Sequence, residues 1–147
     1  MKIKDLMTRD IATCAPDSDL ASVAMLMLNE DCGSVPVTDG SGRPIGMITD
    51  RDISIAGATQ HHPLSDIAVS DVKGDRVVAC EETQDVNEAL NLMTTTKVRR
   101  LPVVDQDGKL TGLLSIGDIV ARLPDGGDGD PAPEDVMSAL KSVYVHH

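Results

Sequence analysis

The chain repeats itself: the stretch that starts at Ile11 recurs 66 residues further on and runs without a gap to Ile119. Pro36-Val37 returns as Pro102-Val103, Asp39 as Asp105, Gly42 as Gly108, Gly46 as Gly112, Thr49 as Ser115 and Asp52-Ile53 as Asp118-Ile119. A repeat of this length constrains the fold before local propensities are weighed, because each copy must be one supersecondary unit. A unit of roughly 55 residues is marginal alone, so the two copies are expected to share a core and to place a site where they meet.

Each copy reads as β-α-β-β-α, which makes the fold class α+β. In the first, Ile11–Cys14 is a short strand, Asp19 is an N-cap, and Leu20, Val23, Ala24, Met27 and Leu28 follow helical spacing. Two apolar runs, Val35–Thr38 and Pro44–Ile48, are joined by Asp39-Gly40-Ser41-Gly42, the signature of a hairpin whose last loop residue is left-handed. A helix follows near Asp50–Gly57. The second copy repeats this with Val77–Cys80, the cap Asp85 with Glu88 three residues on, Leu101–Val104, Leu110–Leu114 and a helix over Ile116–Leu123. The chain therefore divides into a first repeat (1–57), a linker with a short helix near Leu64–Ala68 (58–73), a second repeat (74–123) and an acidic, Gly- and Pro-rich tail (124–147). Within that tail Glu134–Val143 is expected to form a final amphipathic turn or two, with Val136, Leu140 and Val143 on one side.

Chemistry concentrates in Gly46-Met47-Ile48-Thr49-Asp50-Arg51-Asp52 and Gly112-Leu113-Leu114-Ser115-Ile116-Gly117-Asp118. Glycine allows a ligand to approach the strand end, and the hydroxyl sits where the next helix offers unpaired N–H groups suited to phosphate. An Asp one turn on can accept from the vicinal hydroxyls of a ribose. The same Ser/Thr-x-x-Asp spacing is also a capping box, which needs no ligand. Two occurrences in register, each preceded by Gly, favour a nucleotide site. Net charge is −11, there is no Phe or Trp, and Tyr144 is the one aromatic residue, which argues against nucleic acid as the partner. A base held by this protein must lie between aliphatic side chains.

These segments, together with Asp5-Leu6-Met7-Thr8 and the Val-Pro-Val and Leu-Pro-Val-Val strands, make the chain resemble a tandem pair of CBS domains, the Bateman module, over residues 1 to 123. The resemblance implies two repeats packed about a pseudo-two-fold axis, with clefts between them for AMP, ADP or ATP, or less readily S-adenosylmethionine or NAD. It implies no catalysis, a homodimer, and control of a partner protein. By family position Thr49 and Ser115 touch phosphate, and Asp52 and Asp118 touch ribose. The base lies against Thr13–Ala15 with Ser34, Val35 and Pro36, and against Ala79–Glu81 with Arg100, Leu101 and Pro102. Arg51 lies in the first motif and is the cation expected beside its phosphate, whereas Gly117 takes that place in the second. Counted from Asp66, the second lead-in carries Ala68-Val69 in place of Met-Thr and an insertion near Ser70–Gly74.

Met1–Asp5 lacks the apolar core of a signal peptide, and no run approaches the ~18 apolar residues of a membrane helix, so a cytoplasmic, non-membrane protein is expected. Cys14, Cys32 and Cys80 lack metal spacing and read as reduced thiols. Cys14 and Cys80 are repeat-equivalent, so they could also face each other, and a ligand-free dimeric adaptor or redox-responsive regulator using these cysteines is the alternative function. His61, His62, His146 and His147 lie away from both motifs and assemble neither a metal site nor a catalytic pair. Ile53, Ala56, Ile119, Val120 and Leu123 are the expected dimer face.

Overall fold

The computed structural model describes residues 1–74, 76–123 and 130–145. It is an α+β fold of two compact units, Ile11–Val77 and Met1–Asp10 with Val78–His147. Most of the stretch expected to be acidic linker, and His146-His147, lie outside the described residues. No described helix is long and apolar enough to cross a membrane.

In the first unit α1 (Leu20–Glu30) starts at Asp19, whose Oδ1 accepts from the Ser22 N–H at 2.8 Å. Leu20, Val23 and Met27 carry its buried stripe. β1 (Ser34–Thr38) and β2 (Pro44–Thr49) pair antiparallel, with Val35 opposite Ile48 and Val37 opposite Gly46. The loop closes on Asp39, which accepts from the N–H groups of Ser41 and Arg43 while Gly42 takes φ +87°. α2 (Asp50–Gln60) continues three residues past Gly57 and ends at His61 in a left-handed conformation.

The second unit repeats the plan with β3 (Cys80–Glu81), α3 (Val86–Thr96), β4 (Arg100–Val104), β5 (Leu110–Ser115) and α4 (Ile116–Ala121). The sheet order is β3-β4-β5, parallel then antiparallel. α5 (Pro133–Tyr144) buries Val136, Ala139 and Val143 in the same core as Leu90, Met93 and Ile119, so the predicted amphipathic helix docks on this unit. Buried apolar residues form one cluster in each unit, where one shared core was expected.

Five local expectations need correction, the first being the strand over Val77–Cys80, of which only Cys80 lies in a strand, Cys80–Glu81. The strand over Ile11–Cys14 is a single bridge, Cys14 to Val37, because at Ala15 the chain turns: the Ala15 N–H donates to Ser18 Oγ and the Ser18 N–H to the Ala15 carbonyl. The helix expected over Leu64–Ala68 is a 3-10 turn, Leu64–Asp66. α4 stops at Ala121, since Arg122 and Leu123 bond back three residues to Ile119 and Val120. The insertion in the second lead-in does not exist. Ile3–Asp5 and Val69–Asp71 are equivalent 3-10 turns, each closed by its Asp accepting from the N–H of Lys2 (3.2 Å) or Ala68 (3.4 Å). The offset of 66 therefore runs back to Ile3, and Met7 and Thr8 correspond to Lys73 and Gly74. Asp66 imitates the lead-in Asp because Leu64-Ser65-Asp66 forms a 3-10 turn of its own.

The lead-ins are also exchanged. Ile3 and Lys4 donate to the carbonyls of Gln84 and Glu82, and Thr8 bridges Leu113 through two 2.9 Å bonds, all within the unit of the second repeat. Val69 and Ser70 donate to the carbonyls of Ser18 and Pro16, within the unit of the first. Each repeat thus wears the lead-in of the other.

Candidate functional site

Each repeat builds the same end-of-hairpin arrangement inside its own unit. In the first, antiparallel register sets Ser34 opposite Thr49, and the Asp50 N–H donates to the Gly33 carbonyl at 3.0 Å. A Cβ on Gly33 would lie 3.1 Å from Asp50 Oδ2, a close approach to the tip of a flexible side chain. In the second, Arg100 stands opposite Ser115 and the Ile116 N–H donates to the Arg99 carbonyl at 2.9 Å.

The capping geometry is present in both copies. Thr49 Oγ1 accepts from the Asp52 N–H at 3.1 Å, and Asp52 Oδ2 accepts from the Thr49 N–H at 2.9 Å. Ser115 Oγ and Asp118 Oδ2 do the same at 3.0 and 2.9 Å. Capping and ligand binding are therefore not alternatives here. Each cap uses one carboxylate oxygen and leaves Oδ1 without a hydrogen bond among the described residues, and each hydroxyl, having accepted, still has its own proton to donate. All four side chains are half-buried, so the helix start fixes their direction without sealing them off.

The flanking glycines do something other than admit a ligand. A Cβ on Gly112 would meet the Thr8 carbonyl oxygen at 2.6 Å and Met7 Sδ at 3.0 Å, and one on Gly46 would meet Lys73 Cδ at 3.1 Å. The space read as a ligand approach is filled by the exchanged lead-in. Met7, Thr8, Lys73 and Gly74 consequently lie along the strands that end in the motifs. As a result the first repeat has a lysine stem where the second has a thioether. The signal for this was available in the 66-residue offset, once extended back to Ile3.

The remaining predicted residues divide by exposure. Thr13–Ala15 runs beside β1, with the Cys14 N–H on the Pro36 carbonyl at 3.0 Å, and Ala79–Glu81 runs into β3 beside β4. Ala15, Ala79 and Arg100 are half-buried and Arg51 is exposed, so all four keep surface for a ligand. Ser34 is a buried polar residue. Val35 and Leu101 are fully buried in their cores and Pro36 and Pro102 are buried as well, so the side chains read as base walls serve the interior. Arg99 lies 5.6 Å over the ring of Tyr144, which holds one cation of the Arg99-Arg100 pair against the end of α5.

Burial pushes the Cys14 thiol up to about 11 and that of Cys80 to about 12, and Cys80 Sγ lies 3.8 Å from the Pro102 carbonyl. Thiolate is scarce at neutral pH in both, which removes the nucleophilic form that oxidation requires. Cys32 is half-buried. His61 and His62 are exposed, and among the described residues no three His, Cys, Asp or Glu side chains form a metal-binding group.

Comparison with known proteins returns one family. The model of the CBS domain matches residues 3–58 and again 69–125, two spans that begin 66 residues apart. An uncharacterized protein of Methanopyrus kandleri is 33% identical over 124 residues, 84% of this chain, and the match spans 63% of that protein's length. The crystal structure of a CBS-domain containing protein from Agrobacterium tumefaciens is 33% identical, with a TM-score of 0.72 and coverage of 84% of this chain and all of that one. The structure of CBSX2 from Arabidopsis thaliana in complex with AMP is 25% identical, with a TM-score of 0.69 over 82% of this chain and 93% of that one.

Proposed function

The chain belongs to the CBS-domain family, and on that premise we propose that it is a non-catalytic regulatory module that binds an adenine nucleotide at its two Ser/Thr-x-x-Asp helix starts. It does so as a cytoplasmic homodimer that controls a partner protein. The observation that carries the reading is the pair of carboxylate oxygens, Asp52 Oδ1 and Asp118 Oδ1, which among the described residues the caps leave without a hydrogen bond. A ribose presents two adjacent hydroxyls that can donate to such an oxygen, and the Thr49 and Ser115 hydroxyls, each with its own proton left to donate, suit phosphate. The AMP bound by CBSX2 supports the same ligand class. AMP, ADP and ATP rank ahead of S-adenosylmethionine, which offers no phosphate to a helix start, and of NAD.

The two sites are unequal: Ser34, Arg51 and the Lys73 stem accompany the first motif, and Arg100 the second. The first takes the more anionic ligand. Calorimetry and thermal shift with AMP, ADP, ATP, NAD and S-adenosylmethionine test this. A ligand at 100 times its dissociation constant stabilises the protein by about 2.7 kcal/mol per occupied site, and Asp52→Ala removes the larger share. Unchanged nucleotide binding in the Asp52→Ala, Asp118→Ala double variant overturns the assignment.

A further inference from the structure

Of the residues expected to form a dimer face, Ile53, Ala56 and Ile119 are buried in their own units and Leu123 is half-buried, while Val120 is 40% exposed. In the second unit Ile119 and Leu123 share their core with Val136, Ala139 and Val143 of α5. This helix lies beyond the residues that match the family model, and among the described residues the first unit has no third α-helix. The far end of α5 rests on the second motif's own strand. Ser142 Oγ donates to the Thr94 carbonyl at 3.0 Å, and Arg99 lies 5.6 Å over the ring of Tyr144. The backbone of the same Arg99 sets the turn from β5 into α4, since its carbonyl accepts from the Ile116 N–H, one residue after Ser115, at 2.9 Å. The next residue, Arg100, stands directly opposite Ser115, and directly opposed residues share a face of the sheet. Leu101, one further on, points to the other face and is buried in the core that holds α5. Arg99 and Arg100 therefore carry one cation to α5 and one to the motif across a single peptide bond. The equivalent pair in the first repeat is Gly33-Ser34, where the Gly33 carbonyl keeps the backbone bond but no side chain can make such a link.

We propose that α5 is the element through which the second motif reports its ligand. An adenine nucleotide held by Ser115, Asp118 and Arg100 fixes the head of β4, and with it Arg99, so that the end of α5 docks more firmly. This rests on the nucleotide reading given above and adds the part of the unit that responds. A ligand that orders a segment makes the next ordering step less costly, which couples the two events positively without a change of fold. The coupling is reciprocal, so a docked α5 in turn tightens nucleotide binding at this motif. Tyr144 is the residue to probe, because it is 50% exposed and lies outside the buried core of the unit, so replacing it leaves the packing of Val136, Ala139 and Val143 in place.

The test uses the full chain carrying Asp52→Ala, which leaves the second motif as the nucleotide site. Calorimetry with AMP and with ATP is expected to show binding weakened about two- to fivefold by Tyr144→Ala, the loss of one exposed cation–π contact, and unchanged by Tyr144→Phe, which keeps the ring. Arg99→Ala gives the same loss, and the two alanine substitutions together lose no more than either alone. Hydrogen exchange over Leu140–Val145 slows when AMP or ATP is added to the Asp52→Ala chain, and does not slow in the Asp52→Ala, Asp118→Ala chain. Nucleotide binding that Tyr144→Ala leaves unchanged, or exchange in α5 that bound nucleotide leaves unchanged, overturns the coupling while the second site stands. An Asp52→Ala chain that binds neither AMP nor ATP overturns the second site and the coupling together.

Discussion

Gly46 and Gly112 hold equivalent places in the two repeats, and a methyl group would be received differently at each. At Gly112 the obstacle is the Thr8 carbonyl oxygen, backbone held by two hydrogen bonds to Leu113, whereas at Gly46 it is the flexible stem of Lys73. Gly112→Ala is expected to cost about 1–3 kcal/mol in urea denaturation and Gly46→Ala distinctly less, and equal losses would contradict the packing described. A second residue-scale expectation concerns the buried thiols. Their folded values are raised above the ordinary 9.0, so the stability from keeping them neutral is intact below pH 9.0. It is lost as pH rises towards about 11 for Cys14 and about 12 for Cys80. The wild type should therefore lose stability more steeply above pH 9.0 than a Cys14→Ala, Cys80→Ala variant, and parallel pH profiles would refute this. Thr49, Asp52, Ser115 and Asp118 were legible as a constellation because the repeat showed them twice. The role of the glycines was not, since a missing side chain says that something comes close without saying what.

The helices show where local chemistry ends each element. α1 and α3 both stop at a left-handed residue, Asp31 at φ 51° and the repeat-equivalent Lys97 at φ 59°, positions where glycine is unstrained. Asp31→Gly is expected to stabilise the protein by roughly 0.5–1 kcal/mol, because it relieves that backbone and removes a negative charge from a helix C-terminus. A fall in melting temperature would count against it. At the other end of α1, the Ser22 N–H and hydroxyl hold the Asp19 carboxyl below its usual range, so this cap contributes stability above pH 3.8 that is lost as pH falls further. The gap in melting temperature between wild type and Asp19→Ala should close in acid. A gap that stays constant down to the most acidic pH at which both proteins still fold would exclude a charged cap. Helix α5 could be read from its stripe of Val136, Leu140 and Val143, and both hairpins from their Asp-x-x-Gly loops. The reduction of Ile11–Cys14 to a single bridge could not, because it is set by a bond from Ala15 to Ser18 that apolar patterning does not register.

Taken whole, the molecule is connected differently from the order in which its repeats are written. Ile3 is fully buried, but in the core of the unit that holds α3, β4 and β5. Ile3→Ala is therefore expected to remove about 2–5 kcal/mol and to speed hydrogen exchange in Val86–Ser115, leaving α1, its nearer neighbour in sequence, protected. Faster exchange confined to Leu20–Glu30 would show that the exchanged lead-in is wrong. The same connection sets an order of events during synthesis. Ile11–Val77 is continuous and can close as soon as it has emerged, at about 5–20 residues per second. The segment Ile3–Thr8 must wait until Leu113 has been made, and must then close a loop spanning the whole of the first unit. Made before any of that unit, it is placed after all of it, and in the interval its apolar side chains are exposed to whatever binds nascent chains.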